Sequence, residues 1–279
     1  MTLTGHDSVV HSAAYSPDGQ RIVTGGGSGD NTAKVWDAKT GTELLTLTGH
    51  DDGVNSAAYS PDGQRIVTGS YDGTAKVWDA QTGQELLTLA GHDGGLWSAA
   101  YSPDGQRIVT ASDDGTAKVW DAQTGKELLT LKGHDSGVWS ASYSPDDARI
   151  VTTSGLTSGL MNRIVKVWDA KTGTELMALK GDSAAYSPDG KRIVTASWWD
   201  STAKVWDANT GKELFTLTGH GGQVHSAAYS PDGHRIVTGS GSGDNTAKIW
   251  DAQTGQELFT LAGHDGAVSS AAYSPNGQR

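Results

Sequence analysis

The chain has 279 residues and no cysteine, so it can build neither a disulfide framework nor a thiolate metal site. Its formal net charge of −11 repels nucleic acid on average and, where there is a partner, favours a basic one. The start, Met1-Thr2-Leu3-Thr4-Gly5-His6, has no basic region followed by an apolar one, and no run nears the ~18 apolar residues of a membrane span. A cytoplasmic protein without membrane contact is expected.

Self-similarity dominates the chain. Strand-like segments end in Trp36-Asp37, Trp78-Asp79, Trp120-Asp121, Trp168-Asp169, Trp206-Asp207 and Trp250-Asp251. Gly5-His6, Gly49-His50, Gly91-His92, Gly133-His134, Gly219-His220 and Gly263-His264 open most copies. A fixed period of this size marks a stack of one supersecondary unit. It also argues against catalysis, because what recurs six times is scaffold.

In the second copy, Val54 to Tyr59 reads as a strand and Ser60-Pro61-Asp62-Gly63 as a turn. Arg65 to Gly69 is a β-branched strand, and Tyr71-Asp72-Gly73 a tight hairpin. Thr74 to Trp78 is a third strand, Gln81-Thr82-Gly83-Gln84 a turn, and Glu85 to Leu89 a fourth strand. Four short strands with regular turns predict an antiparallel meander, and no segment has useful helical periodicity. Such a sheet cannot bury both faces alone, so radial repetition is expected, with the Ser- and Ala-rich first strand at the crowded centre. The fold class is therefore all-β, a β-propeller of four-stranded antiparallel blades, six full and a seventh incomplete. One domain, 1–279, is expected, with blades at about 5–47, 49–89, 91–131, 133–179, 181–217 and 219–261. A partial blade, 263–279, would be joined by a strand at 2–4.

The Gly-His opening, the Ser-Pro-Asp-Gly turn and the closing Trp-Asp resemble the WD-repeat β-propeller family over essentially the whole chain. The near-identity of the copies resembles recently amplified bacterial members. The resemblance implies a buried hydrogen-bond chain in each blade. The sets are His6, Thr24, Asp30 and Trp36; His50, Thr68, Asp72 and Trp78; His92, Thr110, Asp114 and Trp120; and His220, Thr238, Asp244 and Trp250. Copy four supplies His134, Thr152 and Trp168, and copy five Thr195, Asp200 and Trp206. The donors and acceptors match: indole only donates, carboxylate accepts, and hydroxyl and imidazole do both. A hydroxyl, a His and an Asp also form the parts of a nucleophilic triad, but repetition and the tie to an indole favour a structural role. No catalytic or metal-binding residue and no cofactor is expected. The glycine-rich stretch Gly25 to Gly29 precedes no helix, so it reads as a hairpin extension rather than a phosphate cradle.

The copies differ at telling places. Copy four has a six-residue insertion within Ser154 to Arg163, with Asn162 where Asp is expected. Copy five loses five residues after Gly181, including the His, and gains one at Trp198-Trp199. It is therefore expected to be the weak sector. Variation concentrates at two positions, which the resemblance places on one rim of the propeller channel. One follows the first Val or Leu of the first strand: His11, Asn55, Trp97, Trp139, His225 and Ser269. The other precedes the hairpin Asp: Gly29, Tyr71, Asp113, Met161, Trp199 and Gly243. Ten tryptophans less the six of the Trp-Asp pairs leave four, all at or beside these positions, including Trp198. Trp and Tyr dominate binding hot spots.

The expected function is a non-catalytic scaffold docking a protein or peptide, basic with an apolar anchor, on this rim. The alternatives are a lectin-like or small-ligand-binding propeller, or an isolated module of a larger bacterial signalling or defence protein. An enzyme would need a unique acid or base in one blade, and His11 and His225 have no obvious carboxylate partner. Closure of the ring is expected to be defective, with self-association through the incomplete blade.

Overall fold

The computed structural model describes residues 2–155, 163–274 and 276–277. Met161 and Asn162 lie outside them. The strands form four-stranded antiparallel sheets in simple sequence order. The first sheet is β1 (Val10–Tyr15), β2 (Arg21–Gly26), β3 (Ala33–Asp37) and β4 (Glu43–Leu47). The second is β5 (Val54–Tyr59), β6 (Arg65–Ser70), β7 (Thr74–Asp79) and β8 (Glu85–Ala90), and the third β9 (Leu96–Tyr101), β10 (Arg107–Ser112), β11 (Thr116–Asp121) and β12 (Glu127–Lys132). The fourth is β13 (Val138–Tyr143), β14 (Arg149–Ser154), β15 (Ile164–Asp169) and β16 (Glu175–Lys180). The fifth is β17 (Ser183–Tyr186), β18 (Arg192–Ala196), β19 (Ala203–Asp207) and β20 (Glu213–Leu217). The sixth is β21 (Val224–Tyr229), β22 (Arg235–Ser240), β23 (Ala247–Asp251) and β24 (Glu257–Leu261). Among the described residues there is no helix. The fold class is all-β, as the turn spacing predicts.

The chain divides into two compact units, residues 1–143 with 170–174, and residues 144–169 with 175–279. In the first unit, Val23, Val35 and Leu47 of one sheet meet Val54, Ile66 and Trp78 of the next. Val67, Val77 and Leu89 likewise meet Leu96, Ile108 and Trp120. In the second unit, Val194, Val205 and Leu217 meet Val224, Ile236 and Trp250. Each sheet thus has a leading face of Ile and Trp and a trailing face of Val and Leu. Burying both supplies what a lone meander lacks.

The turns are built as their residues dictate. Ser60 Oγ donates to Asp62 Oδ1 at 2.6 Å, and the Gln64 amide donates to the same oxygen at 3.0 Å. The Asp of Trp-Asp closes the next turn: Asp79 Oδ1 accepts from the Gln81 and Thr82 amides at 3.0 and 2.7 Å. A guanidinium ties neighbouring sheets. Arg21, Arg65 and Arg107 Nη1 donate to the carbonyls of Ala80, Ala122 and Ala170 at 2.8–2.9 Å.

No strand forms at residues 2–4, and residues 262–274 form none either. The expected outer strand at 2–4 is therefore not present among the described residues.

Candidate functional site

The polar sets assemble in four sheets. Trp36 Nε1 donates to Thr24 Oγ1 at 2.8 Å, His6 Nε2 lies 2.7 Å from the same oxygen, and His6 Nδ1 lies 3.0 Å from Asp30 Oδ2. Trp78, Thr68, His50 and Asp72 repeat this at 2.9, 2.7 and 2.7 Å. Trp120, Thr110, His92 and Asp114 do so at 2.8, 2.8 and 2.7 Å, and Trp250, Thr238, His220 and Asp244 at 2.8, 2.6 and 2.5 Å.

Proton bookkeeping fixes the direction. The carboxylate only accepts, so Nδ1 carries the imidazole proton and Nε2 must accept from the threonine hydroxyl. That hydroxyl oxygen in turn accepts from the indole. The threonines are buried, with Thr68, Thr110 and Thr238 at 0 % exposure, so no substrate carbonyl can reach the hydroxyl. A triad needs an accessible nucleophile. Burial would raise the Asp30 carboxyl, but hydrogen bonds from Thr32, the Asp7 amide and His6 hold it at about 2. Desolvation depresses His92 and His220 below the usual imidazole value, despite their aspartates. Among the described residues, no group of three His, Asp or Glu side chains is placed to hold a metal.

In the fourth sheet, Trp168 Nε1 donates to Thr152 Oγ1 at 2.8 Å. In the fifth, Trp206 Nε1 donates to Thr195 Oγ1 at 2.9 Å, and Thr195 Oγ1 donates to the Lys180 carbonyl at 2.8 Å. A Cβ on Gly181 would lie 2.6 Å from the Thr195 Cβ, so backbone has moved into the space an imidazole fills elsewhere. Asp200 does not join this set; its carboxylate accepts from the Thr202 amide and hydroxyl, and its amide donates to Ser197 Oγ. Losing the His thus leaves neither the hydroxyl nor the indole unsatisfied, which removes the main ground for expecting a weak sector here.

The variable residues of the first strand share one backbone device. Val54 pairs with Ser70 and Ser56 with Gly69, so Asn55 is an extra residue, a β-bulge. His11, Trp97 and His225 occupy the same bulge. A bulge re-aims a side chain without ending the strand.

In the first unit the bulge residues and hairpin residues meet. The His11 and Tyr71 rings are 6.5 Å apart, Tyr71 and Trp97 5.0 Å, and Trp97 and Trp139 6.2 Å. Trp97 Nε1 donates to Asp113 Oδ1 at 2.6 Å. The approach depends on glycine: a Cβ on Gly95 would stand 3.0 Å from the Tyr71 ring, and one on Gly137 2.8 Å from Asp113 Oδ1. Asn55 departs from the rim expectation. It is buried, and its Nδ2 donates to the Leu96 carbonyl at 2.8 Å.

In the second unit, Trp198 and His225 rings are 4.7 Å apart, and the Arg163 guanidinium lies 4.0 Å above the Trp198 ring. Arg163 Nε pairs with Asp182 Oδ1 at 2.8 Å, and the Trp198 amide donates to Asp182 Oδ2 at 2.6 Å. Burial raises the Asp182 carboxyl even with these partners. Trp198 is therefore held inside a cluster, whereas Trp199 is 59 % exposed beside a small cavity of about 190 Å³.

Sequence reasoning missed the Arg163–Asp182 pair, since Arg163 follows the insertion and Asp182 the deletion. It also missed the polar grooves between the Ser-Pro-Asp-Gly turns. The larger cavities, about 630 and 490 Å³, lie there, lined by Arg21, Tyr59 and Asp62, and by Arg65, Tyr101 and Asp104. Their arginines are already spent on the alanine carbonyls, so size alone does not make them the site.

The pattern of the family described as "WD domain, G-beta repeat" matches residues 1–37, 41–79, 83–121, 125–169, 178–207, 211–251 and 255–279. The chain belongs to the WD-repeat family. The segments run out of step with the sheets: each of the first six ends on Trp-Asp, so the fourth strand of a sheet falls in the following segment, β16 only from residue 178 on. WD-repeat domains generally act in protein interactions and are generally non-catalytic. One curated relative, the vegetative incompatibility protein HET-E-1 of Podospora anserina, is 52 % identical over 42 residues, 15 % of this chain and 3 % of that protein. The chain therefore spans a small part of that relative's length.

Proposed function

We propose that this WD-repeat chain is a binding scaffold whose partner docks on the aromatic run His11–Tyr71–Trp97–Trp139. The carrying observation is that three successive ring contacts, from four sheets, join side chains belonging to none of the repeated networks. Rigid, part-exposed aromatics give contact area at low entropic cost. Asp113, exposed and fixed on Trp97, sets a negative charge beside them. A peptide with one large apolar anchor and a flanking Lys or Arg complements both features. Residues 1–279 act in this reading as one non-enzymatic, cytoplasmic propeller.

The test is an array of peptides pairing Leu, Phe or Trp with adjacent Lys or Arg. The chain should retain such peptides, and Trp97→Ala with Trp139→Ala should lose them. Retention undiminished in the double variant would refute the reading. The small cavity beside Trp199 favours a second reading, a small ligand stacked on that indole, which a glycan array would reveal. The match to a far longer incompatibility protein supports a third, a module within a larger chain.

A further inference from the structure

Asp182 follows Gly181 as His50 follows Gly49 and His92 follows Gly91. It does not take the imidazole's place. Its carboxylate turns to Arg163 Nε at 2.8 Å and to the Trp198 amide at 2.6 Å. Turned the other way, it would stand against the like charge of Asp200. The fifth sheet therefore keeps the aspartate of the repeated set without the ring that this aspartate holds elsewhere.

What Asp200 lacks is read from its counterparts. Asp30, Asp72, Asp114 and Asp244 each use Oδ1 on the threonine two positions on. Each uses Oδ2 on an imidazole Nδ1 at 2.5–3.0 Å. The same Oδ2 accepts from the amide after the histidine at 2.7–3.1 Å. Asp200 Oδ1 accepts from Thr202 in the same way, but no imidazole and no amide reaches its Oδ2 among the described residues. The four counterpart side chains are 3–13 % exposed, whereas Asp200 is an exposed residue. Burial would raise its carboxyl, but hydrogen bonds from Thr202 and Ser197 and the charge of Lys204 hold it below the ordinary carboxylate value. It is an ionised acceptor.

The space beside it is half filled. At the Thr195 end the Gly181 backbone has moved in. At the Asp200 end a cavity of about 190 Å³ remains, walled by Gly181, Ser197, Trp199 and Asp200. Drug-sized ligands need ~300–1,000 Å³, so the occupant is a single ring, with any chain that bears it left outside. The exposed indole of Trp199 gives that ring a flat wall. Arg163, Lys180 and Lys204 stand beside Asp182 and Asp200, and Glu213 pairs with Lys204 at 3.1 Å. These six charges cancel, so the cavity has no net pull on a cation.

We propose that this cavity binds a neutral imidazole ring from outside the chain, its N–H donating to Asp200 Oδ2 and its face on the Trp199 indole. The inference rests on the second reading above, a small ligand at Trp199, and is independent of the aromatic run. The intact sheets supply the precedent: the acceptor and its threonine brace are the same, and only the tether to the backbone is missing. A guanidinium or an ammonium brings a full charge that Lys180 and Arg163 oppose. The ring comes either from a histidine side chain of a peptide or from a free imidazole compound, which present the same N–H and the same face.

The test titrates imidazole into the isotope-labelled full chain. It follows the indole N–H of Trp199, assigned from Trp199→Phe, and the Asp200 amide. Saturable shifts at both are expected, with about millimolar affinity because so few atoms make contact. The Trp120 indole of an intact sheet should not move. Asp200→Ala and Trp199→Ala should each weaken binding at least about tenfold. Circular dichroism checks folding, and Trp199→Ala, a change at an exposed side chain, carries the test if Asp200→Ala unfolds. Equal binding by either folded variant, or equal shifts with methylguanidinium or methylammonium, overturns the proposal. Absence of saturable imidazole binding overturns it too. A glycan whose binding depends on Trp199 would then leave the second reading standing without it. N-acetylhistidine methylamide, run beside imidazole, separates the sources. Tighter binding assigns the cavity to a histidine of a peptide, and equal or weaker binding to a free imidazole compound; both support the site.

Discussion

Thr195 Oγ1 and the Lys180 carbonyl lie 2.8 Å apart, and this contact does for the fifth sheet what a histidine does for four others. In each case the hydroxyl proton needs an acceptor once its oxygen has received the indole N–H. The identity of the acceptor is free, but its presence is not.

Removing the hydroxyl should therefore cost more where two side chains depend on it. Thr110→Val leaves both Trp120 Nε1 and His92 Nε2 without their partner. Thr195→Val leaves Trp206 Nε1 and one carbonyl. About 2–3 kcal/mol is expected for the first and about 1–2 kcal/mol for the second. Urea unfolding midpoints check the order, and equal losses would contradict it.

Arg163→Ala should be among the more damaging single changes in the second unit. Its side chain and that of Asp182 are 8 % and 6 % exposed, so the substitution strands a buried carboxylate. The expected loss is about 3 kcal/mol. Arg163→Ala with Asp182→Asn should recover much of it. Hydrogen exchange across residues 181–197 should rise sharply in Arg163→Ala, while the parent shows extra exchange only at the four-residue β17.

Tryptophans should sort by role. Trp120, 2 % exposed, should cost about 3–5 kcal/mol on truncation to Ala. Trp97→Ala with Trp139→Ala should shift the melting temperature by only a few degrees, roughly the effect of 1 kcal/mol in a chain of this size. Differential scanning calorimetry distinguishes the two outcomes. If the double variant unfolds, those indoles are core.

Acid should unfold the protein in two stages. Burial holds the folded His92 and His220 below the ordinary imidazole value of 6.5, so the unfolded state takes up protons first. Their contribution is complete above 6.5 and is lost as the pH falls below it. Asp30, held at about 2 against an ordinary carboxyl value of 3.8, contributes fully above 3.8 and loses its contribution toward 2. The melting temperature should be level at neutral pH, decline below 6.5 and fall again below 3.8. His92→Gln should weaken the first decline.

What the sequence made legible was whatever the repeat enforces. Each Trp-Asp ends a third strand, and each Ser-Pro-Asp-Gly turn follows a first strand, because those side chains bond within four or five residues of themselves. What it hid depends on neighbours distant in the chain. Asn55 and Trp97 share one bulge position, yet Asn55 turns inward because the Leu96 carbonyl stands within reach of its amide. Trp198 and Trp199 are adjacent, yet Trp198 packs against Arg163 and His225 while Trp199 is 59 % exposed. The repair of the fifth sheet was equally invisible, since a carbonyl leaves no mark in the sequence.

The one-strand offset between matched segments and sheets bears on how such a chain changes length. Trp78 and Trp120 are 42 positions apart, and Thr82-Gly83 and Thr124-Gly125 fall at equivalent turns. Excising residues 83–124 joins Thr82 to Gly125 and hands β12 to the second sheet in place of β8. Every remaining sheet keeps four strands, and every remaining Trp keeps its Thr. Unequal crossing-over between copies at this phase therefore adds or removes material without inventing a single new contact type. Copy number is therefore a property that this architecture leaves free to change.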